Sequence, residues 1–241
     1  MLGATKGMGR ALARAMAARG DALFLLGRDE EDLARSAIDL EVRGAALPVR
    51  HAHADLADAQ SFAPALDAAE KALGGIDTVV VTAARFATQE ALEQDARLVE
   101  ELLTVNFTHT MLFCEQARQR LLAHGGGNLC VFSSVAGERG RKPVVLYGAS
   151  KAGLSHYLEG LDHKFRRQGL RVICVKPGFV KTGMTDALRP PPFAGQPDQV
   201  ARQVLRAIDK GTPVVYAPVA WRYVMGVIRN LPRAVMRRVE F

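Results

Sequence analysis

Short apolar runs alternate with longer amphipathic stretches along the chain. The apolar runs occupy residues 22–26, 46–49, 78–82, 128–132, 171–175 and 213–216. Stretches with apolar positions at helical spacing occupy residues 9–19, 30–42, 61–73, 96–122, 147–167 and 198–210. Strands that are apolar on both faces and alternate with helices predict an α/β fold with a parallel sheet covered on both sides. Because parallel crossovers are right-handed, we expect a doubly wound, Rossmann-like sheet.

The pattern contains no linker that divides it. We therefore expect residues 1–241 to form one nucleotide-binding domain, with a core over 1–217 and a basic helical extension over 218–241. Residues 189–197 carry four prolines and are predicted to be a loop. The first glycine-rich turn begins at Gly3, so the central strand that should precede it is reduced to Met1-Leu2. The sequence thus predicts a gap in the core, and an upstream start or a clipped chain is favoured over a genuinely shortened fold.

The composition is ordinary for a soluble globular protein, with 49% hydrophobic and 24% charged residues. Cys114, Cys130 and Cys174 lie far apart without metal-ligand spacing, so we expect free thiols and a cytoplasmic protein. No segment is predicted to span a membrane or to act as a signal peptide. The net charge of +7 is compatible with nucleic acid, a membrane surface, an anionic substrate or simply solvated helices.

A glycine-rich turn, Gly3-Ala-Thr-Lys-Gly7-Met-Gly9, leads directly into the first helix. Glycine permits the sharp bend and the close approach that a pyrophosphate requires, and the helix N-terminus offers unpaired N–H groups to the anion. Such a turn can also do no more than start a helix. Its place at the head of an alternating β/α chain favours a nucleotide site.

The end of the second strand indicates which nucleotide is preferred. Folds that bind NAD place an acidic residue there for the ribose 2′-hydroxyl. Here the position is Gly27, followed by Arg28, and Lys6 lies inside the glycine turn. Two cations favour a 2′-phosphate, so NADP is predicted and NAD remains possible. Asp29 either caps the next helix or meets a ribose hydroxyl, and Asp55 either caps a helix or binds the adenine amino group.

Ser134 closes the strand at 128–132, and Tyr147 and Lys151 follow on one helix face at i and i+4. Tyrosine has a pKa near 10 and is a poor acid or base at neutral pH. A nearby ammonium and a bound nicotinamide cation would lower that pKa, and Ser134 would hold a carbonyl oxygen. The Tyr-Lys spacing alone is typical of any helix face; its conjunction with the glycine turn and the serine indicates a carbonyl–alcohol redox site.

In this order and spacing the motifs resemble the classical short-chain dehydrogenase/reductase family over nearly the whole chain. The resemblance implies a catalytic set of Asn106, Ser134, Tyr147 and Lys151. Tyr147 would transfer the proton, Ser134 would orient the carbonyl, Lys151 would bind the ribose and tune Tyr147, and Asn106 would hold a relay water. The implied small-molecule substrate is a carbonyl compound or an alcohol, and the implied assembly is a homodimer or homotetramer.

The expected cofactor-binding residues follow the glycine turn, the ends of the strands and the segment beside the nicotinamide. They are Gly3, Thr5, Lys6, Gly7, Met8, Gly9, Arg28, Asp55, Leu56, Ala83, Tyr147, Lys151, Pro177, Gly178, Val180 and Thr182. One segment departs from the family pattern: the family's Asn-Asn-Ala-Gly is here Val81-Thr82-Ala83-Ala84. We expect Thr82 to supply a substitute hydrogen bond and cofactor binding to be retained.

The C-terminal residues 220–239 are amphipathic and basic, with a break at Pro232. They either pack on the domain or a sister subunit, which we favour for the first part, or rest on an anionic membrane surface at the inner face of the membrane. Three segments in the C-terminal half, 133–139, 147–154 and 216–225, are similar to the decaprenylphosphoryl keto-pentose reductases of mycobacterial cell-wall synthesis. This resemblance implies a lipid-linked keto-sugar as one candidate substrate.

Two functional classes therefore compete: an NADPH-dependent ketone reductase, which we favour, and a non-catalytic NADP-binding sensor or regulator. The arginines are not interleaved with stacking aromatics, so no nucleic-acid partner is expected. His51 and His53 have no third ligand within sequence reach, so no metal is predicted.

Overall fold

The predicted alternation of strands and helices is confirmed by the structure. The computed structural model describes residues 1–186, 189–191 and 193–239. The strands are β1 Ala22–Gly27, β2 Ala46–His53, β3 Thr78–Val81, β4 Gly127–Phe132, β5 Leu170–Pro177 and β6 Val214–Ala217. The helices are α1 Gly7–Ala17, α2 Glu30–Val42, α3 Phe62–Leu73, α4 Gln89–Gln94, α5 Ala96–Leu103, α6 His109–Ala123, α7 Val145–Phe165, α8 Pro197–Lys210, α9 Ala220–Asn230 and α10 Arg233–Met236.

All the strands that pair are parallel. β1 pairs with β2, and β3, β4, β5 and β6 pair in that order. Leu2 forms isolated parallel bridges to Leu26 of β1 and to Val81 of β3. The sheet is therefore continuous in the order β2, β1, Leu2, β3, β4, β5, β6. Strand order reverses at Leu2, which is the place where doubly wound folds bind ligands.

Side chains alternate between two cores, one on each face of the sheet. Leu23 and Leu25 join the core formed with α1, α2 and α8, whereas Phe24 and Leu26 join the core formed with α3, α6 and α7. The same period of two recurs in β3, β4 and β5. Burial on both faces explains why these strands read as continuous apolar runs in the sequence.

The predicted gap at the first strand is confirmed. Only Met1 and Leu2 precede the turn, and Leu2 alone stands in the central position of the sheet. Its N–H donates to the carbonyl of Val80 at 2.8 Å, and the N–H of Gly3 donates to that of Leu26 at 3.0 Å.

Several element boundaries differ from those predicted. The single helix expected at 96–122 is α5 and α6 joined by a π-helical segment, Thr104–Thr108. The short helix α4 was not predicted. The C-terminal stretch breaks between α9 and α10 at Leu231 and Pro232, as expected. In the predicted loop at 189–197, α8 begins at Pro197, a favourable first position for proline, and Pro192 lies outside the described residues.

Candidate active site

The predicted site residues come from separate parts of the sequence and meet at the carboxyl edge of the sheet. The glycine turn follows Leu2, Arg28 follows β1, and Asp55 follows β2. Ser134 follows β4, and Pro177 ends β5. Because parallel strands all present their carboxyl ends at one edge, the strand topology alone brings these groups together.

The glycine turn is folded tightly against its own helix. Gly3 and Gly7 have φ values of 93° and 52°, which favour glycine. A Cβ on Gly9 would lie 2.1 Å from the carbonyl oxygen of Gly3, so only glycine allows α1 to start there. The first turn of α1 contains no acidic residue. Its N-terminus therefore keeps the positive end of the helix dipole open to an anion.

Thr82 supplies the substitute hydrogen bond that the altered 81–84 segment requires. Its hydroxyl donates to the carbonyl of Gly3 at 2.8 Å and approaches that of Leu2 at 3.3 Å. The same oxygen would be 2.4 Å from a Cβ on Gly9. Thr82 thus ties the end of β3 to the start of the glycine turn.

The strand-end cations face a carboxylate that the sequence did not reveal. The Lys6 ammonium lies 2.9 Å from Asp32, in the first turn of α2, and Arg35 also pairs with Asp32 at 2.9 Å. Hydrogen bonds from Lys6 and then Arg35 lower the pKa of Asp32. Asp29 caps α2 by accepting from the N–H of Asp32 at 2.9 Å, which fits the first of its two predicted roles. Arg28 is exposed beside them.

Asp55 caps a turn in this structure. Its carboxylate accepts from the N–H of Ala57 at 2.9 Å. The next residue, Leu56, is buried, and its carbonyl lies 2.7 Å from Nδ1 of His109 on α6. This segment is consequently held in place at the carboxyl end of β2.

Tyr147 lies in the first turn of α7 and faces Ser134. Burial raises the pKa of Tyr147 to about 12, and the neighbouring Ser134 hydroxyl opposes that rise only in part. The ring of Phe86 packs edge-on against Tyr147 at 5.3 Å between centroids. Sequence reasoning missed Phe86 because nothing in the sequence brings the segment after β3 to α7.

Lys151 is one turn further along α7, with only 2% of its surface exposed. Its ammonium donates to the carbonyl of Phe132 at 3.0 Å and lies 5.9 Å from the centre of the Tyr147 ring. Burial lowers the pKa of Lys151 to about 8. Tyr147 and Lys151 are both driven toward their neutral forms, so the lowering of the tyrosine pKa expected with cofactor bound is not present in the protein alone.

Asn106 is fully buried in the π-helical segment. Its amide oxygen accepts from the N–H of Arg85, and its amide nitrogen donates to the carbonyl of Arg85, both at 2.7 Å. Both polar ends of the side chain therefore bind the backbone of Arg85, next to Phe86. π-Helical turns of this kind occur frequently at functional sites.

A short 3₁₀ turn, Val135–Gly137, packs directly on α7 and fixes Ser134 relative to Tyr147. A Cβ on Gly137 would lie 2.6 Å from the peptide between Lys151 and Ala152, and one on Gly148 would lie 2.8 Å from the carbonyl of Ala136. Ser134 begins this turn by accepting from the N–H of Ala136 at 3.0 Å. The two glycines set the closest approach of the turn and the helix.

The segment after β5 completes the edge. Thr182 lies against the glycine turn, because a Cβ on Gly7 would be 3.4 Å from its methyl group. Val180, also from the predicted set, is buried and bridges Gly195. The indole of Trp221 packs on Gly178, where a Cβ would lie 2.1 Å from its nitrogen, and that nitrogen donates to the carbonyl of Phe193 at 3.3 Å. Trp221 therefore connects α9 to the predicted nicotinamide segment.

A model described as short chain dehydrogenase matches residues 1–192. The chain belongs to the short-chain dehydrogenase/reductase family. It is therefore an oxidoreductase of a family that uses nicotinamide cofactors, and the resemblance to this family is confirmed.

Individual relatives of this short-chain dehydrogenase agree. An uncharacterized oxidoreductase of Mycobacterium tuberculosis is 32% identical over 239 residues, covering 99% of this chain and 95% of the relative. A putative ketoacyl reductase of the granaticin polyketide synthase from Streptomyces violaceoruber is 33% identical over 189 residues, covering 78% and 69%. An actinorhodin polyketide ketoreductase solved with NADPH shares the fold, with a TM-score of 0.81 at 23% identity, covering 90% and 93%. The narrower resemblance to decaprenylphosphoryl keto-pentose reductases is not shown by these comparisons.

Glu138 also lies at this edge with its side chain only 5% exposed, and no motif in the sequence singles it out. Its carboxylate binds Lys176 of β5, the hydroxyl of Tyr216 at 2.9 Å and Arg229 of α9 at 3.1 Å. Burial alone would raise the pKa of Glu138, but these three partners outweigh it and hold the pKa below its usual value. Glu138 follows the turn that begins at Ser134, so it fastens that turn to the C-terminal helix of this short-chain dehydrogenase.

Replacing Gly137 with alanine tests whether the turn and α7 form one packed unit. We expect Gly137→Ala to reduce the free energy of unfolding by about 1–3 kcal/mol, because the new methyl group overlaps the Lys151–Ala152 peptide. Gly140→Ala is the matched control, since nothing lies within 4 Å of a Cβ there. Urea denaturation measures both. Equal stabilities would show that the turn yields freely and does not fix Ser134.

Proposed function

We propose that this chain reduces a ketone to a secondary alcohol with NADPH, using Tyr147 as the proton donor. The observation that carries the proposal is the placement of Tyr147 beside Ser134, whose hydroxyl lowers the pKa of the phenol, with the buried Lys151 ammonium 5.9 Å from the tyrosine ring. These groups lie at the sheet edge that also holds the glycine turn. The reaction is one of carbonyl–alcohol interconversion, the class to which the family membership also points.

The residues of the edge fit a dinucleotide. The turn from Gly3 to Gly9 directs the N-terminus of α1 toward the edge. The first turn of α1 contains no acidic residue, so this N-terminus suits a pyrophosphate. Thr182 and Gly178 lie across from it on the segment after β5. Bound NADPH would supply the hydride to the carbonyl carbon.

The protein's own groups would act on the oxygen of the substrate. The Ser134 hydroxyl would donate a hydrogen bond to the carbonyl oxygen and orient it. The high pKa of Tyr147 keeps its phenol protonated at neutral pH, and that proton would pass to the same oxygen as the alcohol forms. The Lys151 ammonium would stabilise the phenolate that remains.

Asn106 would act by position. Since both polar ends of its side chain bind the backbone of Arg85, it holds the segment that places Phe86 against Tyr147. The relay water that the family resemblance implies would require Asn106 to release one of these bonds or to use its main chain.

The substrate proposal is limited to a class. Trp221 and Phe86 form an apolar wall at this edge of the sheet, which favours a ketone with an apolar neighbouring group. The relative named as a putative ketoacyl reductase supports a keto-acyl compound, and the C-terminal segments noted above support a lipid-linked keto-sugar. A panel containing both types, assayed with NADPH and NADH, decides between them.

Tyr147→Phe is expected to lower kcat for ketone reduction by about 10²–10⁴-fold, because it removes only the acidic hydroxyl. NADPH oxidation followed by absorbance gives kcat, and nucleotide fluorescence gives the NADPH affinity, which we expect to remain close to that of the parent. Tyr157→Phe is the control on the same helix, since that hydroxyl binds Glu115 at 2.8 Å, away from the edge.

Undiminished turnover in Tyr147→Phe would contradict the mechanism. If the parent chain bound NADPH but reduced no ketone, the non-catalytic sensor would be favoured. The altered 81–84 segment is the observation that supports this second class.

NADP preference is proposed from charge. Lys6, Arg28 and Arg35 lie near the end of β1. Lys6 and Arg35 are paired with Asp32, and Arg35 also lies 3.7 Å from Glu31. Arg28 is exposed at this strand end and is the cation we propose for the 2′-phosphate.

Arg28→Ala is expected to weaken NADPH binding about 10- to 100-fold and to leave NADH binding nearly unchanged. A charge-assisted hydrogen bond to phosphate contributes about 1.5–3 kcal/mol, which corresponds to that range. Arg43→Ala, at the far end of α2 where Arg43 pairs with Asp39 at 2.9 Å, is the control. Fluorescence titration measures both nucleotides. An equal loss for NADH and NADPH would overturn the assignment of Arg28 to the phosphate.

The C-terminal extension has one packed face and one open face. Met225 and Ile228 of α9 are buried with Val135, so its first part packs on the rest of the chain as favoured. Residues 218–241 contain five arginines and one acidic residue, Glu240. Val219, Tyr223 and Val227 are at least half exposed and share one side. We propose that this face rests on an anionic membrane surface. No helix in the described part of the chain is long and apolar enough to cross a membrane.

We expect the protein to co-sediment with phosphatidylglycerol-containing vesicles at low salt and not with phosphatidylcholine vesicles. Replacing Tyr223 and Val227 by serine should reduce the bound fraction, whereas Val42→Ser, 84% exposed on α2, should not. Equal sedimentation with both vesicles would contradict the membrane proposal. The homodimer or homotetramer, the cytoplasmic location and the division at residue 217 stay predictions.

A further inference from the structure

An open groove of about 730 Å³ runs along β6, the edge strand of the sheet, between α8 and α9. The described residues that line it include cationic side chains from both helices, and none of these lining residues is a carboxylate. The cations are Arg206 and Lys210 on α8, and Arg222 and Arg229 on α9. We call this site the cationic groove.

Most of this positive charge is not neutralised within the protein. Arg229 binds the carboxylate of Glu138 at 3.1 Å. Within the described part of the chain, by contrast, the side chains of Arg206, Lys210 and Arg222 make no ion pair or hydrogen bond. Because like charges along one groove repel one another, the groove favours an anion that contacts several of them at once.

Uncharged hydrogen-bonding groups lie beside the cations. The carbonyls of Pro213 and Ala217 accept hydrogen bonds from β5 and the residue that follows it, at 2.8 and 3.0 Å. Because main-chain groups alternate along a strand, the N–H groups of Val214 and Tyr216 point outward from the free edge. Gln203, which lines the same groove, has a buried amide oxygen with no hydrogen-bond partner among the described residues. A ligand with acceptor oxygens and a hydroxyl would satisfy all of these groups.

The cationic groove adjoins the apolar face of α9 that we propose to rest on a membrane. Val219 lines the groove and also belongs to that exposed face, together with Tyr223 and Val227. Arg222 and Gly226, which line the groove, each precede one of these two residues in the sequence. An anionic headgroup at a surface that covers the apolar face would therefore lie within reach of the groove.

We propose that the cationic groove binds a phosphate ester whose organic part carries a hydroxyl. The phosphate oxygens would accept hydrogen bonds from Arg206, Lys210 and Arg222 and from the outward N–H groups of β6. The hydroxyl would donate to the buried oxygen of Gln203. A lipid headgroup and a soluble phosphate ester offer the same atoms. The lipid source rests on the membrane contact proposed above, whereas the groove itself does not.

The edge of the sheet suits a small anion better than another protein strand. β6 is four residues long, so few outward main-chain groups are available for pairing. Pairing of two β6 edges about a two-fold axis would bring the cations of both copies together, and like charges placed opposite one another are destabilising.

Amide chemical shifts test the groove without any membrane. In isotope-labelled protein, we expect glycerol 3-phosphate to shift the Val214 and Tyr216 amides in NMR spectra, and to do so saturably. The titration is run at about 0.15 M salt, where interactions beyond about 8 Å are largely screened. Because these amides belong to β6, the shifts distinguish the groove from the nucleotide site.

Two double variants show whether the cations of the groove are responsible. The groove variant, Arg206→Gln with Lys210→Gln, should weaken glycerol 3-phosphate binding at least about tenfold, because it removes two charge-assisted hydrogen bonds. The control variant, Arg97→Gln with Arg167→Gln, removes the same charge at exposed positions that do not line the groove, and its affinity should match that of the parent.

Vesicles separate the two sources of the phosphate. Co-sedimentation with phosphatidylglycerol-containing vesicles should fall several-fold in the groove variant and not in the control variant. Replacing Tyr223 and Val227 by serine should reduce vesicle binding and keep the glycerol 3-phosphate shifts. If the parent shows these shifts but binds no vesicle, the groove serves a soluble phosphate ester and only the membrane contact is wrong.

The groove proposal is overturned if glycerol 3-phosphate leaves the Val214 and Tyr216 amides unshifted, or binds the groove and control variants equally well. Vesicle binding that persists in such a case would leave the membrane contact standing without the groove. Tighter binding of an acidic peptide, Glu-Asp-Glu-Asp, or protection of the same amides by dimerisation, would assign the edge to a protein and would also overturn the proposal.

Discussion

The backbone of Leu2 and its two neighbours joins the two halves of the sheet. Leu2 donates to Val80 and accepts from Thr82 on one side, and Met1 and Gly3 bond Leu26 on the other. Among the described residues, these bonds carry the continuity between the β1–β2 pair and the four remaining strands. The glycine turn starts at the same point, so the position of the nucleotide site relative to Tyr147 depends on one very short strand. Thr82 reinforces the junction by bonding Gly3 from β3.

Much of this arrangement could be predicted from the sequence because it rests on local rules. Apolar runs gave the strands, helical spacing gave α1, α2 and α8, and the Tyr147–Lys151 spacing gave a shared helix face. The parallel topology then brought the strand ends together without any knowledge of contacts. Asp29 and Asp55, left open between capping and ligand binding, both serve as caps in the protein alone.

The parts that could not be predicted depend on contacts between distant segments. Nothing in the sequence relates Asn106 to Arg85, Phe86 to Tyr147 or Glu138 to Arg229, since each pair is chosen by how helices pack on the sheet. The break of the 96–122 helix at Thr104–Thr108 is of the same kind. A periodic apolar face predicts a helix, but it does not show where one turn widens to the i→i+5 hydrogen bonds of a π-helix.

Burial raises the pKa of Tyr147 and lowers that of Lys151, because it disfavours the charged form of each group. With a pKa of about 8, Lys151 is still largely protonated at neutral pH, so the site holds a neutral phenol beside an ammonium that would stabilise the phenolate formed when the proton is transferred to the substrate oxygen. The Ser134 turn that meets this oxygen is fastened through Glu138 to α9, the helix whose outer face is cationic and partly apolar. A surface that binds α9 therefore contacts a helix whose Arg229 is ion-paired with Glu138, the residue that follows the Ser134 turn.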